Sequence, residues 1–167
     1  MAPPKTSIGM RLSDEMIRIA VVFRLGLRTC EPHNCSCGKE VNARGLHGLS
    51  CRRSSARQKR HEELNGIIWR SIKRNQLPVS KEPAGLARTD GKRPDGSTFI
   101  SWSQGKPLAW DVTVPDTFAD SHLKDTSVIA GATANRAADL KCTKYTNITS
   151  KHIFAPIAME TSGSWNQ

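Results

Sequence analysis

Two aspartates in the second half of the chain lie in segments that alternate like β-strands. Asp95, in Pro94-Asp95-Gly96, falls early in a stretch spanning residues 93–102, and Asp111 sits inside Leu108-Ala109-Trp110-Asp111-Val112-Thr113-Val114. Alternate residues of a strand share a face, so Asp95 goes with Ser97 and Phe99, and Asp111 with Ala109 and Thr113. If the strands pair through the turn at residues 103–105, both carboxylates converge on one side. Two carboxylates so placed bind a hard cation, Mg²⁺ or Mn²⁺, through oxygen and leave positions for water and substrate phosphate. That chemistry generates a hydroxide nucleophile for in-line attack on a phosphodiester. Glu82, near the end of the preceding strand segment, is the candidate third ligand. Asp90-Gly91 reads as a turn, and Pro94-Asp95-Gly96 alone reads equally well as one. Asp111 does not, because a carboxylate in an apolar strand is costly unless paired or metal-bound.

The helix spanning residues 133–148 has one lysine whose direction its periodicity sets. Ala134, Ala138, Tyr145 and Ile148 recur at helical spacing with Lys141 in the middle of their stripe, which directs Lys141 toward the sheet. Lys144 flanks the same stripe one turn on, where it either joins the site or snorkels from an ordinary amphipathic helix. Tyr145 packs or hydrogen-bonds beside it.

A second cluster is of another kind. Cys35-x-Cys37-x9-His47-x3-Cys51 brings three thiols and an imidazole together in a stretch, residues 29–53, that has little hydrophobic periodicity. Three Cys and one His are a ligand set of tetrahedral structural zinc, and metal binding offsets the chain entropy of a segment without a core. Because Cys-x-Cys is less usual than Cys-x-x-Cys, Cys30, His33 and His61 stand as substitutes for one of the four. The fifth cysteine, Cys142, is far away in sequence, and no secretory signal points to a disulfide-forming compartment.

The elements that must position these groups are readable from periodicity and punctuation. A short helix follows Ser13-Asp14-Glu15 and carries Met16, Ile19, Ala20 and Phe23 to a stop at Gly26. The clearest helix covers residues 54–76, with Leu64, Ile67, Ile68 and Ile72 as its apolar stripe. Strands are expected at 77–82, 93–102 and 106–114, the last two as a hairpin, then the alanine-rich helix and a final strand at 153–160. The domain division is an N-terminal helical segment at 1–28, the knuckle at 29–53, an α/β unit at 54–162 and a tail at 163–167; Pro3-Pro4 and the tail read as loose ends. The order helix, three strands, helix, strand implies a sheet with helices packed on it.

Charge narrows the partner. The chain has 25 Lys+Arg against 15 Asp+Glu and a formal net charge of +10, which favours a polyanion. The longest apolar run, residues 19–23, is far short of the roughly 20 residues of a membrane-spanning helix. On the helix at 54–76 and just before it, Arg52, Arg53, Arg57, Lys59, Arg60, Arg70, Lys73 and Arg74 are opposed only by Glu62 and Glu63. Arg57, Lys59 and Arg60 are placed to neutralise DNA phosphates without reading sequence, and His61 either contacts phosphate or is a structural histidine.

In order along the chain, the Cys-Cys-His-Cys knuckle, Arg60-His61 and Asn65, Glu82-Pro83, Arg93-Pro94-Asp95, Asp111 and Lys141-x-x-Lys144-Tyr145 resemble a known family. This is the PD-(D/E)xK nucleases, and within them the restriction-like endonuclease at the C-terminus of non-LTR retrotransposon polyproteins. The resemblance implies an αβββαβ restriction-endonuclease-like core that cuts target DNA with Mg²⁺ or Mn²⁺, beside a reverse transcriptase and in the nucleus. It implies catalytic roles for Asp95, Asp111, Glu82, Lys141, Lys144 and Tyr145, and DNA contact by Arg57, Lys59, Arg60, His61 and Arg93. The family pattern places lysine two residues after the second acid, where this chain has Thr113. Either the lysine has migrated to the next helix, as in some members, or the chain is a zinc-containing DNA-binding module that has lost activity.

Overall fold

The computed structural model describes residues 11–167; Pro3-Pro4 lies outside the described residues. The chain divides after Ser54 into two units.

In the first unit, α1 (Asp14–Arg24) starts at Ser13, whose hydroxyl accepts the Met16 N–H, and its first turn carries Asp14 and Glu15 against the positive helix end. Gly26 follows it at φ +65°. Two short antiparallel strands come next, β1 (His33–Asn34) and β2 (Glu40–Val41), and then a single helical turn, α2 (His47–Ser50). Among the described residues of this unit only Val41 and Cys51 are buried. Hydrophobic burial therefore contributes little to holding residues 29–54 in place.

The second unit is a mixed α/β structure. It consists of α3 (Ala56–Arg74), β3 (Val79–Lys81), β4 (Gly96–Thr98), β5 (Leu108–Thr113), α4 (Asp120–Thr126), α5 (Ala132–Lys144) and β6 (Ile153–Ala158). The four strands form one sheet in the order β3-β4-β5-β6, antiparallel except for the parallel pair β5-β6. The hairpin expected between the second and third strands is present, turning through Gln104 (φ +51°) and Gly105 (φ +74°).

Alternation along β5 sorts its side chains to two faces. Leu108, Trp110 and Val112 join Leu64 and Ile72 of α3 in the main core, while Ala109 packs with Tyr145 and Ile148. Ala134 and Ala138 meet Ala158 of β6 in a third cluster. Small residues here let α5 approach the sheet closely.

Three expectations need correction, and one helix is new. Ile67 is exposed and does not belong to the α3 stripe; Trp69 is the partly buried residue instead, with Asn65 buried beside the stripe. The first strand ends at Lys81, because Glu82 takes a left-handed conformation at φ +47°. Asp120–Thr126 forms a helix in a stretch for which the periodicity predicts no element. The tail is anchored: Asn166 N–H donates to the Ala158 carbonyl, its Oδ1 accepts the Ala158 N–H, and the Gln167 N–H reaches Asn135. Polar side chains matched to backbone groups carry no periodic signal, which is why a Ser/Gly/Asn-rich end reads as loose.

Gly96 is required by packing. It faces Trp110 across the β4-β5 ladder, and a Cβ there would lie 2.0 Å from the indole Cζ2. The ring cannot retreat, because it is fully buried and its Nε1 donates to Asn65 Oδ1 at 2.9 Å. Gly96→Ala is expected to destabilise this unit by about 3 kcal/mol or more, measured as a shift in chemical unfolding. A variant within a few tenths of a kcal/mol of wild type would contradict this packing.

Candidate metal centre and acidic site

Cys35, Cys37, His47 and Cys51 are brought together, with their ligand atoms all within 4.8 Å of one another. Cys35 Sγ is 3.7 Å from Cys51 Sγ, and Cys37 Sγ is 3.1 Å from His47 Nε2. A tetrahedral site with Zn–S bonds of about 2.3 Å separates its sulfurs by about 3.8 Å, so the thiol spacing suits that geometry. The backbone does the positioning. The Cys35 N–H bonds the Lys39 carbonyl and the Gly38 N–H the Cys35 carbonyl, closing a turn whose Gly38 stands at φ +87°. The α2 turn then carries His47 and Cys51 on one side, tied by the Cys51 N–H to the His47 carbonyl.

The electrostatics prepare a ligand. The Cys37 backbone N–H, and then its thiol, hold the Cys35 thiol down to about 6 from its ordinary value, so thiolate is present at neutral pH. This cluster can hold a metal ion such as zinc. Two of the substitutes do not enter it: Cys30 Sγ faces the carbonyls of Asn42 and Ala43, and His33 Nδ1 faces the Glu31 carbonyl; the third, His61, belongs to α3 and hydrogen-bonds Asp95. Among the described residues it is the one group of three or more such side chains suited to a metal.

Asp111 is the buried carboxylate of β5, 3% exposed. Its Oδ1 accepts from the Tyr145 hydroxyl at 2.9 Å, and its Oδ2 forms an ion pair with Lys141. The Lys141 direction expected from the helical stripe is thus the observed one. Tyr145 is also within donating distance of the Arg93 carbonyl, at 2.7 Å, and it accepts from Lys144 Nζ at 2.8 Å. Burial first, and then the charge and hydrogen bond of Asp111, push the Tyr145 phenol well above its ordinary value, so it remains a protonated donor.

Asp95 lies one residue before β4 and is used differently. Its Oδ2 accepts the Val112 N–H at 2.6 Å and faces His61 Nε2 at 3.1 Å. The side chain thus caps the ladder along β5 and reaches a residue of α3, where a simple alternation places it on the Asp111 face. The two acids still share one neighbourhood, since Asp95 Oδ2 accepts the N–H of Val112, the residue after Asp111.

The remaining expected residues fall elsewhere. Glu82 donates its backbone N–H to the Asp95 carbonyl, but its exposed carboxylate pairs with Arg93 and does not join the two aspartates in a three-ligand group. Arg57 and Lys59 are exposed on α3, whereas Arg60 is half-buried and lowered by that burial, with Asp116 opposing the shift. A residue that the sequence reading passed over is Arg88, whose guanidinium donates to the Lys144 carbonyl at the end of α5. Its only sequence signal is its place beside the Asp90-Gly91 turn.

His61 gives a pH handle. The hydrogen bond to Asp95 is the main cause that raises its pKa, and burial opposes it. A folded value above the unfolded one, about 6.5, means the stabilisation is complete below the unfolded value and fades as pH rises through the folded one. The wild type should therefore lose stability relative to His61→Gln as pH climbs from about 6.5, read from denaturation midpoints across that range. A difference independent of pH would contradict the charged pair.

The chain matches no protein-family model and no curated protein. No helix among the described residues is long and apolar enough to cross a membrane.

Proposed function

We propose that the second unit is a metal-dependent DNA endonuclease domain of the PD-(D/E)xK kind, derived from a retroelement, with the first unit as its zinc knuckle. The observation that carries this reading is Lys141 on Asp111. The family pattern needs a lysine at the second acid, Thr113 leaves its usual slot empty, and α5 delivers an ammonium to that same carboxylate from another direction. The strand order, the hairpin joining the two acidic segments and the excess of cations support the reading. Its partners are then target DNA and a reverse transcriptase of the same element, and its place of action the nucleus.

Asp95 and Asp111 would hold Mg²⁺ or Mn²⁺. Their oxygens are the hard donors such ions take, and Asp111 Oδ2 already faces a cation, the Lys141 ammonium. The bound ion supplies Lewis acidity and a more acidic water. The protein's own groups do the rest. Lys141 stabilises negative charge gathering on the phosphoryl oxygens and orients the attacking water, and Tyr145 fixes the Asp111 carboxylate by donating to Oδ1. Lys144 fixes Tyr145 in turn. Arg57 and Lys59 take phosphates of the duplex.

One observation favours the second reading, an inactive DNA-binding module. Lys141 already neutralises the oxygen that a metal would use, and no third carboxylate joins the pair among the described residues. Metal-dependent cleavage of plasmid DNA by the intact protein, against Asp111→Ala, separates the two.

A further inference from the structure

Between the turn at residues 88–92 and the C-terminal end of α5 runs a groove of about 770 Å³, lined by Arg88, Thr89, Asp90, Lys92, Lys144 and Asn147 among others. Three of these side chains are cations and one is an anion. Asp90 is already shared, with its Oδ1 3.4 Å from Arg88 Nε and its Oδ2 3.7 Å from Lys92 Nζ. Positive charge is therefore left over. The effect is visible at Lys144, whose ammonium is lowered chiefly by burial, is restored in part by Asp111, and is lowered again by the like charges of Lys141, Lys92 and Arg88.

The lining also says what the groove does not take. Leu140 is its one apolar side chain and is itself exposed, so there is no wall on which a nucleobase or a lipid chain would pack. The hydroxyls of Thr143 and Thr146 donate back to carbonyls of α5, so the groove's donors are the cations, Thr89 and Asn147. A row of anions with hydrated gaps between them suits such a lining. The groove and the acidic site are neighbours through one shared wall, because Lys144 of the groove donates to the buried Tyr145, and Tyr145 bonds Asp111.

We propose that this groove seats the sugar-phosphate backbone of the DNA strand beside the bond that is cut, with Arg88, Lys92 and Lys144 each facing a phosphate near Asp111. The proposal rests on the nuclease reading and assigns the track by which the substrate strand reaches that site. Arg88 has a second task, since it also caps the Lys144 carbonyl. Lys92, exposed and with its ammonium paired to Asp90, is the residue to change without disturbing the fold.

The test is the salt dependence of binding of a short fluorescent DNA duplex to the zinc-loaded full chain without added magnesium, for wild type, Lys92→Ala and Lys124→Ala, an exposed lysine of α4. Each phosphate contact contributes about 0.9 to the slope of log affinity against log salt. Lys92→Ala is expected to lower that slope by about 1, with Lys124→Ala unchanged. An unaltered slope in Lys92→Ala, or an equal drop in both variants, overturns the groove and leaves the nuclease reading standing. If the wild type binds DNA without salt dependence, both fall together.

Discussion

Cys51→Ser is expected to release the metal and unfold residues 29–54, with the second unit retaining its structure. The argument starts from how little else holds that region. Val41 and Cys51 are its buried residues, β1 and β2 are two residues each, and α2 is a single turn. Against this, structural zinc in small folds supplies about 10–16 kcal/mol of apparent binding energy at neutral pH, which becomes folding energy when the site exists only in the folded state. Removing one of four ligands forfeits most of it. The second unit has its own core around Trp110, Leu64 and Val112, so its stability does not depend on thiols. The measurements are zinc content per chain and amide exchange: protection of the Cys35, Gly38 and Cys51 N–H groups should vanish in the variant or on chelation. Unchanged protection after complete metal removal would show that the cluster is four thiol and imidazole groups that happen to lie together.

The knuckle was legible in the sequence because cysteine and histidine announce a cluster by type and spacing alone. Asp111 and Lys141 were legible for another reason. A carboxylate inside an apolar strand demands a partner, and a lysine inside an alanine stripe points where the stripe points. Asp95 shows the limit. Its strand position predicts a face, but it stands one residue outside the ladder, and a side chain there is free to bend and accept the Val112 N–H. Glu82 was misplaced because a left-handed backbone at a non-glycine residue has no reliable sequence signal. The role of Arg88 depends on a contact with a residue 56 positions away, and such pairings follow from the tertiary fold rather than from local pattern.

The acidic site carries the second large effect. Asp111→Ala removes the partner of both Lys141 and Tyr145 and, on the proposed nuclease reading, an oxygen ligand of the metal, so that reading expects cleavage to fall by at least about 10²-fold. Lys141→Met should reduce it by about 10²–10³-fold while DNA affinity stays near that of wild type. It should also destabilise the fold by up to about 3 kcal/mol, because it strands a buried carboxylate. Lys141 is a quarter exposed, so the lower part of that range applies. Bound Mg²⁺ should restore some of the lost stability by replacing the missing cation, a readout that a purely structural lysine would not give. Lys141→Arg keeps the charge and should recover stability more than activity, since a planar guanidinium does not reproduce an ammonium.

The most direct measurement is nicking or linearisation of supercoiled plasmid by the zinc-loaded chain in Mg²⁺ or Mn²⁺, run beside Asp111→Ala. Cleavage by wild type that is lost in Asp111→Ala and in the absence of the divalent cation is the predicted result. Salt-dependent DNA binding by wild type with no cutting of supercoiled or branched DNA, or equal cutting by Asp111→Ala, would contradict the assignment of Asp95, Asp111 and Lys141 as a nuclease site.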